Sequence, residues 1–330
     1  MSIRDKFRFI LIVTICVAVF IVVTEIVLRI QHFHQHRLLA ARHQEAENHY
    51  MLSEIPGLIY TLKPKVHGTN SRGYWDYEYD YKKEKGVYRI IVIGDSIAAG
   101  HNLPFKDNFS KLLEQKLNNT RPQKNEVIVL ARPGYGTSQE MVILEQEAFR
   151  YDPDLIIWSY ALNDPAHPVF HNANNEMGRY FYKPRLFVAR FFAETVFLIK
   201  EKIMSRHASR EYHRFLHEVY WDGVLGNIRR IGEISRRRHV PVVFVIHPVF
   251  EQGRSFEQYS LKSLHERLRS EASDQGLEVV DLYDLFKSFD PDELRFHQPS
   301  GFDPWHLNQK GHQIIAGYLY ERLNWGHRLQ

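Results

Sequence analysis

Four short segments carry side chains suited to nucleophilic chemistry, and three of them directly follow short apolar runs. Gly94-Asp95-Ser96-Ile97-Ala98-Ala99-Gly100 puts a serine at a strand-to-helix turn. There its hydroxyl is presented at the carboxyl edge of a sheet, and small neighbours let a substrate approach. Ala131-Arg132-Pro133-Gly134-Tyr135-Gly136-Thr137 holds two glycines. They permit positive φ and expose a backbone N–H that can donate to an oxyanion, although an ordinary βα turn has the same composition. In Tyr160-Ala161-Leu162-Asn163-Asp164 the Asn163 amide can donate to a developing negative charge, or only close an Asx turn before Pro165. Asp303-Pro304-Trp305-His306-Leu307-Asn308 suits a type I turn, whose ends lie within about 7 Å. That spacing brings a carboxylate to an imidazole in the orientation a general base needs, and Asn308 can cap the following helix. A polar turn ahead of a helix would carry the same residues.

The elements that must position these segments follow from hydrophobic periodicity. Short β-branched runs recur at Val87–Ile93, Val127–Leu130, Leu155–Tyr160, Val240–Ile246 and Leu277–Leu282. Helical patterns lie between them at Asn108–Leu117, Gln139–Arg150, Asp222–Arg238 and Gln258–Asp274. Alternating strands and helices predict parallel βαβ units and a doubly wound α/β sheet of five strands. Ligands of such sheets bind outside the carboxyl ends of the strands, where three of the four segments fall. Residues 165–220 interrupt the alternation with an aromatic-dense helical insertion holding Phe170, Tyr180, Phe181, Tyr182, Phe187, Phe191, Phe192 and Phe197. An insertion at that edge is placed to be a lid or substrate wall, or a subdomain that packs on the body.

Composition narrows the class. The chain has 330 residues, 44% apolar and 25% charged, which is the balance of a folded protein. A single cysteine, Cys16, excludes an internal disulfide framework and cysteine-based zinc sites. A net charge of +4 is too small at this length to suggest a nucleic-acid binder. No H-E-x-x-H pattern occurs, so neither a metal nor another cofactor is expected.

Phe9–Leu28 is an apolar run of 20 residues with one charge, Glu25. At about 1.5 Å per residue it covers about 30 Å, one hydrocarbon core. It is longer than a signal-peptide core, and Arg29-Ile30-Gln31-His32 follows it without a small-residue cleavage site, so an uncleaved transmembrane anchor over residues 1–30 is expected. Orientation is undecided by charge, with Arg4, Lys6 and Arg8 on one side and Arg29, Arg37 and Arg42 on the other. A juxtamembrane stalk and Tyr-rich lead-in should occupy residues 31–85. His32, His34, His36, His43 and His49 read as part of that stalk, or as imidazole ligands lacking a completing carboxylate or thiolate pattern.

Taken together, Gly94-Asp95-Ser96, Gly134 in Pro-Gly-Tyr-Gly-Thr, Asn163-Asp164 and Asp303-x-x-His306 resemble the SGNH (GDSL-type) hydrolases over roughly residues 86–325. The lead-in resembles that of membrane-anchored bacterial members. The resemblance implies a flavodoxin-like catalytic domain over 86–330. It also implies Ser96 as nucleophile, His306 as base and Asp303 as its orienting partner. The implied oxyanion donors are the Ser96 and Gly134 backbone N–H groups and the Asn163 side chain, with Gly136 a competitor to Gly134. Two positions depart from the family pattern: Val129-Leu130-Ala131 stands where Asn-x-Gly is common before Pro133, and Ala161 stands for a glycine.

The implied reaction is acyl transfer through an acyl-serine, hence an esterase acting on an acylated lipid or glycan. The body would sit on the outer face of the inner (plasma) membrane, towards the periplasm or exterior. The alternatives are an O-acyltransferase acting on a cell-surface polysaccharide and a catalytically silent anchored binding subunit. Finally, residues 200–240 carry ten Lys/Arg against five acids. Arg206, Arg210 and Arg214 would share one face if that stretch were helical, either solvated or facing anionic headgroups or glycans.

Overall fold

The computed structural model describes residues 2–42, 48–168, 176–182, 184–209, 211–299 and 301–323. Among the described residues there are seven strands: β1 (Tyr50–Leu52), β2 (Tyr60–Leu62), β3 (Tyr88–Gly94), β4 (Asn125–Ala131), β5 (Leu155–Tyr160), β6 (Val242–Ile246) and β7 (Glu278–Asp281). The last five form one parallel sheet in the order β4-β3-β5-β6-β7. Counted along the sheet this is the 2-1-3-4-5 order of flavodoxin-like folds, with the chain reversing direction of growth between β3 and β5. All residues of β3, β4, β5 and β6 are buried, so both faces are covered. This is why their sequences are continuous apolar runs rather than alternating ones. The register sets Gly94 of β3 beside Ala131 of β4 and Ser159 of β5, which brings three carboxyl ends level.

The flanking helices include Phe109–Thr120, Thr137–Gln146, Trp221–Arg238, Lys262–Asp274 and Gln309–Arg322. Phe109–Thr120 packs on Gln309–Arg322, and Trp221–Arg238 packs on both Thr137–Gln146 and Lys262–Asp274. Asn108 starts the first of these by accepting the Ser110 N–H at 3.0 Å.

The lead-in is built into the body. β1 and β2 pair antiparallel, and Tyr60 and Tyr74 are buried. Asp76 forms a buried ion pair with Lys111 at 2.8 Å and accepts the β4 backbone N–H of Val129 at 2.7 Å. Three-residue strands give too short a pattern for periodicity to reveal, so the sequence showed this segment only as Tyr-rich.

Ahead of the lead-in, helix α1 spans Ile3–Arg42, and its Ile3–His34 portion is long and apolar enough to cross a membrane. The insertion contributes the helices Phe187–Met204 and Tyr212–Val219, with a short 3₁₀ turn at Ser205–His207 between them. That break separates Arg206 from Arg214, so the spacing of four does not make a common face. Arg214 instead donates to the Ser260 carbonyl at 2.6 Å, while Arg210 and Phe170 lie outside the described residues.

Candidate active site

Ser96 lies two residues beyond the end of β3 and opens a one-turn helix, Ser96–Ala99. Asp95 fixes that turn by accepting the Ile97 N–H at 2.9 Å through its side chain. The turn is tight enough that a Cβ on Gly94 would meet the Ala98 Cβ at 2.7 Å and the Ser159 carbonyl at 2.8 Å. Glycine is therefore a packing requirement immediately before the serine turn.

From the other end of the chain, the turn 303–306 closes over this edge. His306 Nδ1 lies 2.7 Å from Asp303 Oδ2, and His306 Nε2 lies 2.9 Å from Ser96 Oγ. The second Asp303 oxygen accepts the backbone N–H groups of Trp305 and His306 at 2.9 and 3.0 Å. With its Nδ1–H donated to the carboxylate, the imidazole presents Nε2 as acceptor for the serine hydroxyl. Burial would raise the Asp303 pKa, but the His306 side chain and the two backbone donors outweigh it and hold the carboxyl below its ordinary value. Asn308 caps the helix that follows, accepting the Gly311 N–H at 3.0 Å.

Asn163 is brought to the same place, and Gly134 lies in the loop after the neighbouring strand β4. Asn163 follows β5, and its Nδ2 lies 3.5 Å from Asp95 Oδ2, the oxygen that is also 3.5 Å from Ser96 Oγ. Gly134 sits after β4 at φ +76°, the left-handed region that glycine occupies without strain. Gly136, its competitor, has its N–H turned to the Gln139 side chain at 3.3 Å, at the start of Thr137–Gln146. The loop between them is gripped by the lead-in. Tyr60 Oη donates to the Pro133 carbonyl at 3.0 Å, and Tyr135 Oη donates back to the Tyr60 carbonyl at 2.5 Å.

Three further groups at the site escape a reading of the sequence alone. His101 lies five residues beyond Ser96, with its ring 5.0 Å from that of His306. Burial and the neighbouring His306 push its pKa down to about 4, so it adds no positive charge beside the imidazole. Behind the serine turn lie three buried carboxyls, Asp95, Glu140 and Asp164. Burial, and then the Asp95 charge, raise Glu140 well above the usual carboxylate range, against a smaller lowering effect of the Trp158 side chain.

The third group is a relay from the insertion. Trp305 Nε1 donates to His213 Nε2 at 3.0 Å, and His213 Nδ1 lies 3.0 Å from Glu211 Oε1. It ties the Tyr212–Val219 helix to the turn that carries His306. The sequence signal was faint: a tryptophan inside the Asp-x-x-His turn and a histidine far away in an aromatic insertion. Among the described residues no group of three or more His, Cys, Asp or Glu is placed to hold a metal ion. Of the stalk histidines, His32 packs its ring 4.9 Å from Phe187 and His49 stacks on His67 at 3.9 Å; His43 lies outside the described residues.

Residues 92–314 match the GDSL-like lipase/acylhydrolase family. The chain belongs to that family. It is thus a GDSL-type serine esterase with a five-stranded parallel sheet and an N-terminal apolar helix. No curated protein sequence matches it. Similar solved structures include the lipase/acylhydrolase from Enterococcus faecalis, at 16% identity over 72% of this chain and 95% of that one, with a TM-score of 0.44. A catalytic mutant of an acetylxylan esterase from Geobacillus stearothermophilus is 14% identical over 72% of this chain and 94% of that one, with a TM-score of 0.47. An α/β hydrolase from the metagenome of Lake Arreo, Spain, is 17% identical over 74% of this chain and 99% of that one, with a TM-score of 0.46.

Proposed function

We propose that this GDSL-type esterase is held at a membrane by α1 and cleaves an acyl ester of a lipid or acylated glycan, with Ser96 as nucleophile. The observation that carries the reading is the unbroken path from Ser96 Oγ through both His306 nitrogens to Asp303, at 2.9 and 2.7 Å. His306 Nε2 takes the serine proton as Oγ attacks the ester carbonyl. The resulting imidazolium is stabilised by the Asp303 carboxylate. The tetrahedral oxyanion is met by the Ser96 and Gly134 N–H groups and the Asn163 side-chain amide. His306 then returns the proton to the departing alkoxide, leaving an acyl-Ser96. Water, deprotonated by the same imidazole, attacks the acyl carbonyl and restores the serine.

The domain limits that go with this reading are an anchor over 1–30, a stalk and lead-in over 31–85, and a catalytic domain over 86–330. The likeness of the lead-in to that of membrane-anchored bacterial members favours a catalytic domain on the periplasmic or outer side of the inner membrane, while the flanking charges leave the orientation open. A C-terminal reporter active only in the cytoplasm would reverse that orientation.

The substrate reading is tested by turnover of the full chain on esters of graded acyl length and on acetylated oligosaccharides. Product analysis is run with and without a sugar acceptor. Free acid in both conditions supports hydrolysis, whereas acylated acceptor without free acid replaces it with O-acyl transfer. No turnover on any ester contradicts the reading.

A further inference from the structure

The Phe187–Met204 helix is turned inside out for a protein in water. Arg190, Glu194, Phe197 and Glu201 recur at helical spacing and are the partly covered side. Arg190 stacks over Tyr182, Phe197 stacks on Tyr220, and Glu201 accepts from the Tyr220 hydroxyl at 3.2 Å. The opposite side is apolar and exposed: Phe191, Phe192, Val196, Leu198, Ile199 and Ile203, with Phe192 at 58% and Ile199 at 54%. None of the 18 residues of this helix is buried. A surface helix normally shows the reverse arrangement, and so wide an apolar face marks contact with something other than water.

The start of the helix packs against α1. Glu25, the one charge inside the apolar run, accepts the Val188 N–H at 2.8 Å and pairs with Arg29 at 2.6 Å. The Arg29 guanidinium lies over the Phe187 ring at 5.0 Å and also donates to the Arg185 carbonyl at 3.0 Å. An otherwise costly acid near the end of a hydrophobic span thus caps a second apolar helix where α1 leaves its apolar run. Lys200, Lys202 and Arg206, all exposed, stand at the far end, where they can meet anionic headgroups.

We propose that Phe187–Met204 lies in the headgroup and acyl boundary of the bilayer as an interfacial helix, a second lipid contact beside the anchor. The proposal rests on the reading of α1 as a membrane anchor. Its five charged residues (Arg190, Glu194, Lys200, Glu201 and Lys202) keep it in the interface instead of across the membrane. Phe197 links the helix to the site, since its ring lies 5.2 Å from that of His167, four residues beyond Asn163. The carboxyl edge of the sheet is thereby held beside the bilayer, where an ester carried by a membrane-borne amphiphile reaches Ser96 without a long transfer through water.

The test uses the full chain with Cys16→Ser, reconstituted in phosphatidylcholine/phosphatidylglycerol vesicles and carrying single nitroxide labels at Ile199→Cys, Val17→Cys or Arg237→Cys. Collision with oxygen reports lipid, and collision with a nickel chelate reports water. The expected result is oxygen contact and nickel protection at both Val17 and Ile199, with nickel contact at Arg237. Nickel contact at Ile199 beside a protected Val17 overturns the interfacial helix and leaves the anchor standing. Shielding of Ile199 from both reagents, with broadening between labels, replaces lipid with a second copy of the chain. Nickel contact at Val17 removes the anchor and this proposal together.

Discussion

The carboxyl edge of the sheet and the pair of outer helices, α1 and Phe187–Met204, handle their side chains in opposite ways. Around Ser96 the chain spends hydrogen bonds on geometry: both Asp303 oxygens are occupied, Asp95 caps the serine turn, and two buried tyrosines hold the 132–135 loop. Along the outer helices large apolar groups such as Phe20, Phe33, Phe192 and Ile199 are exposed. A proton-transfer path needs fixed distances, so its supports are buried and paired. An element facing lipid needs only satisfied backbone and an apolar exterior. The two outer helices meet at Phe187, under Arg29 of α1, and the insertion reaches the 303–306 turn through His213 and Trp305.

The comparison can be sharpened by substitutions, starting with the edge itself. Ser96→Ala should lower kcat on a soluble ester by on the order of 10⁴ or more while the circular dichroism spectrum stays unchanged. Asn163→Ala should cost on the order of 10²–10³ in kcat with KM nearly constant, as expected for a group that binds the transition state alone. An effect confined to KM would make Asn163 a ground-state contact.

Smaller effects are expected away from the reacting atoms. Trp305→Phe keeps an aromatic ring but removes the N–H that reaches His213. About 1 kcal/mol of positioning corresponds to a roughly fivefold fall in kcat with little change in KM. An unchanged kcat would mean that the insertion and the 303–306 turn are merely adjacent.

The smallest change concerns the interior behind the site. Glu140 has a folded pKa raised above its unfolded value of about 4.3, so the fold binds its proton more tightly. Its favourable contribution is complete below that pH and is lost as pH rises towards the folded value. Glu140→Gln removes the loss, so thermal unfolding at pH 7 should move up by a few degrees, and the gap to the parent should narrow near pH 4.

The same contrast explains what could be read from residue order. Strands buried on both faces appear as unbroken runs such as Ile90-Ile91-Val92-Ile93, and a doubly wound sheet places functional groups just after them. Ser96, Gly134 and Asn163 stood out for that reason. Asp303 and His306 were visible because three residues and one proline make a compact turn. What stayed hidden depends on contacts between distant segments. Nothing local in Tyr60 shows that it holds Pro133, and nothing near Glu211 or His213 points to Trp305. The fourfold spacing of Arg206, Arg210 and Arg214 was misleading, because the chain leaves the helix at Met204 and a Glu211 cap begins a new one. Glu25 looked like a blemish in an apolar run until the Val188 N–H supplied its partner.

The roles of Ser96 as nucleophile and His306 as its activating base are open to one direct test. A fluorophosphonate probe, applied to the full chain and located by peptide mass spectrometry, tests both roles at once. A single adduct on Ser96 is expected, with labelling slowed strongly in a folded His306→Ala variant. Absence of an adduct on Ser96 in the folded parent, or equal labelling rates in parent and His306→Ala, would contradict those roles.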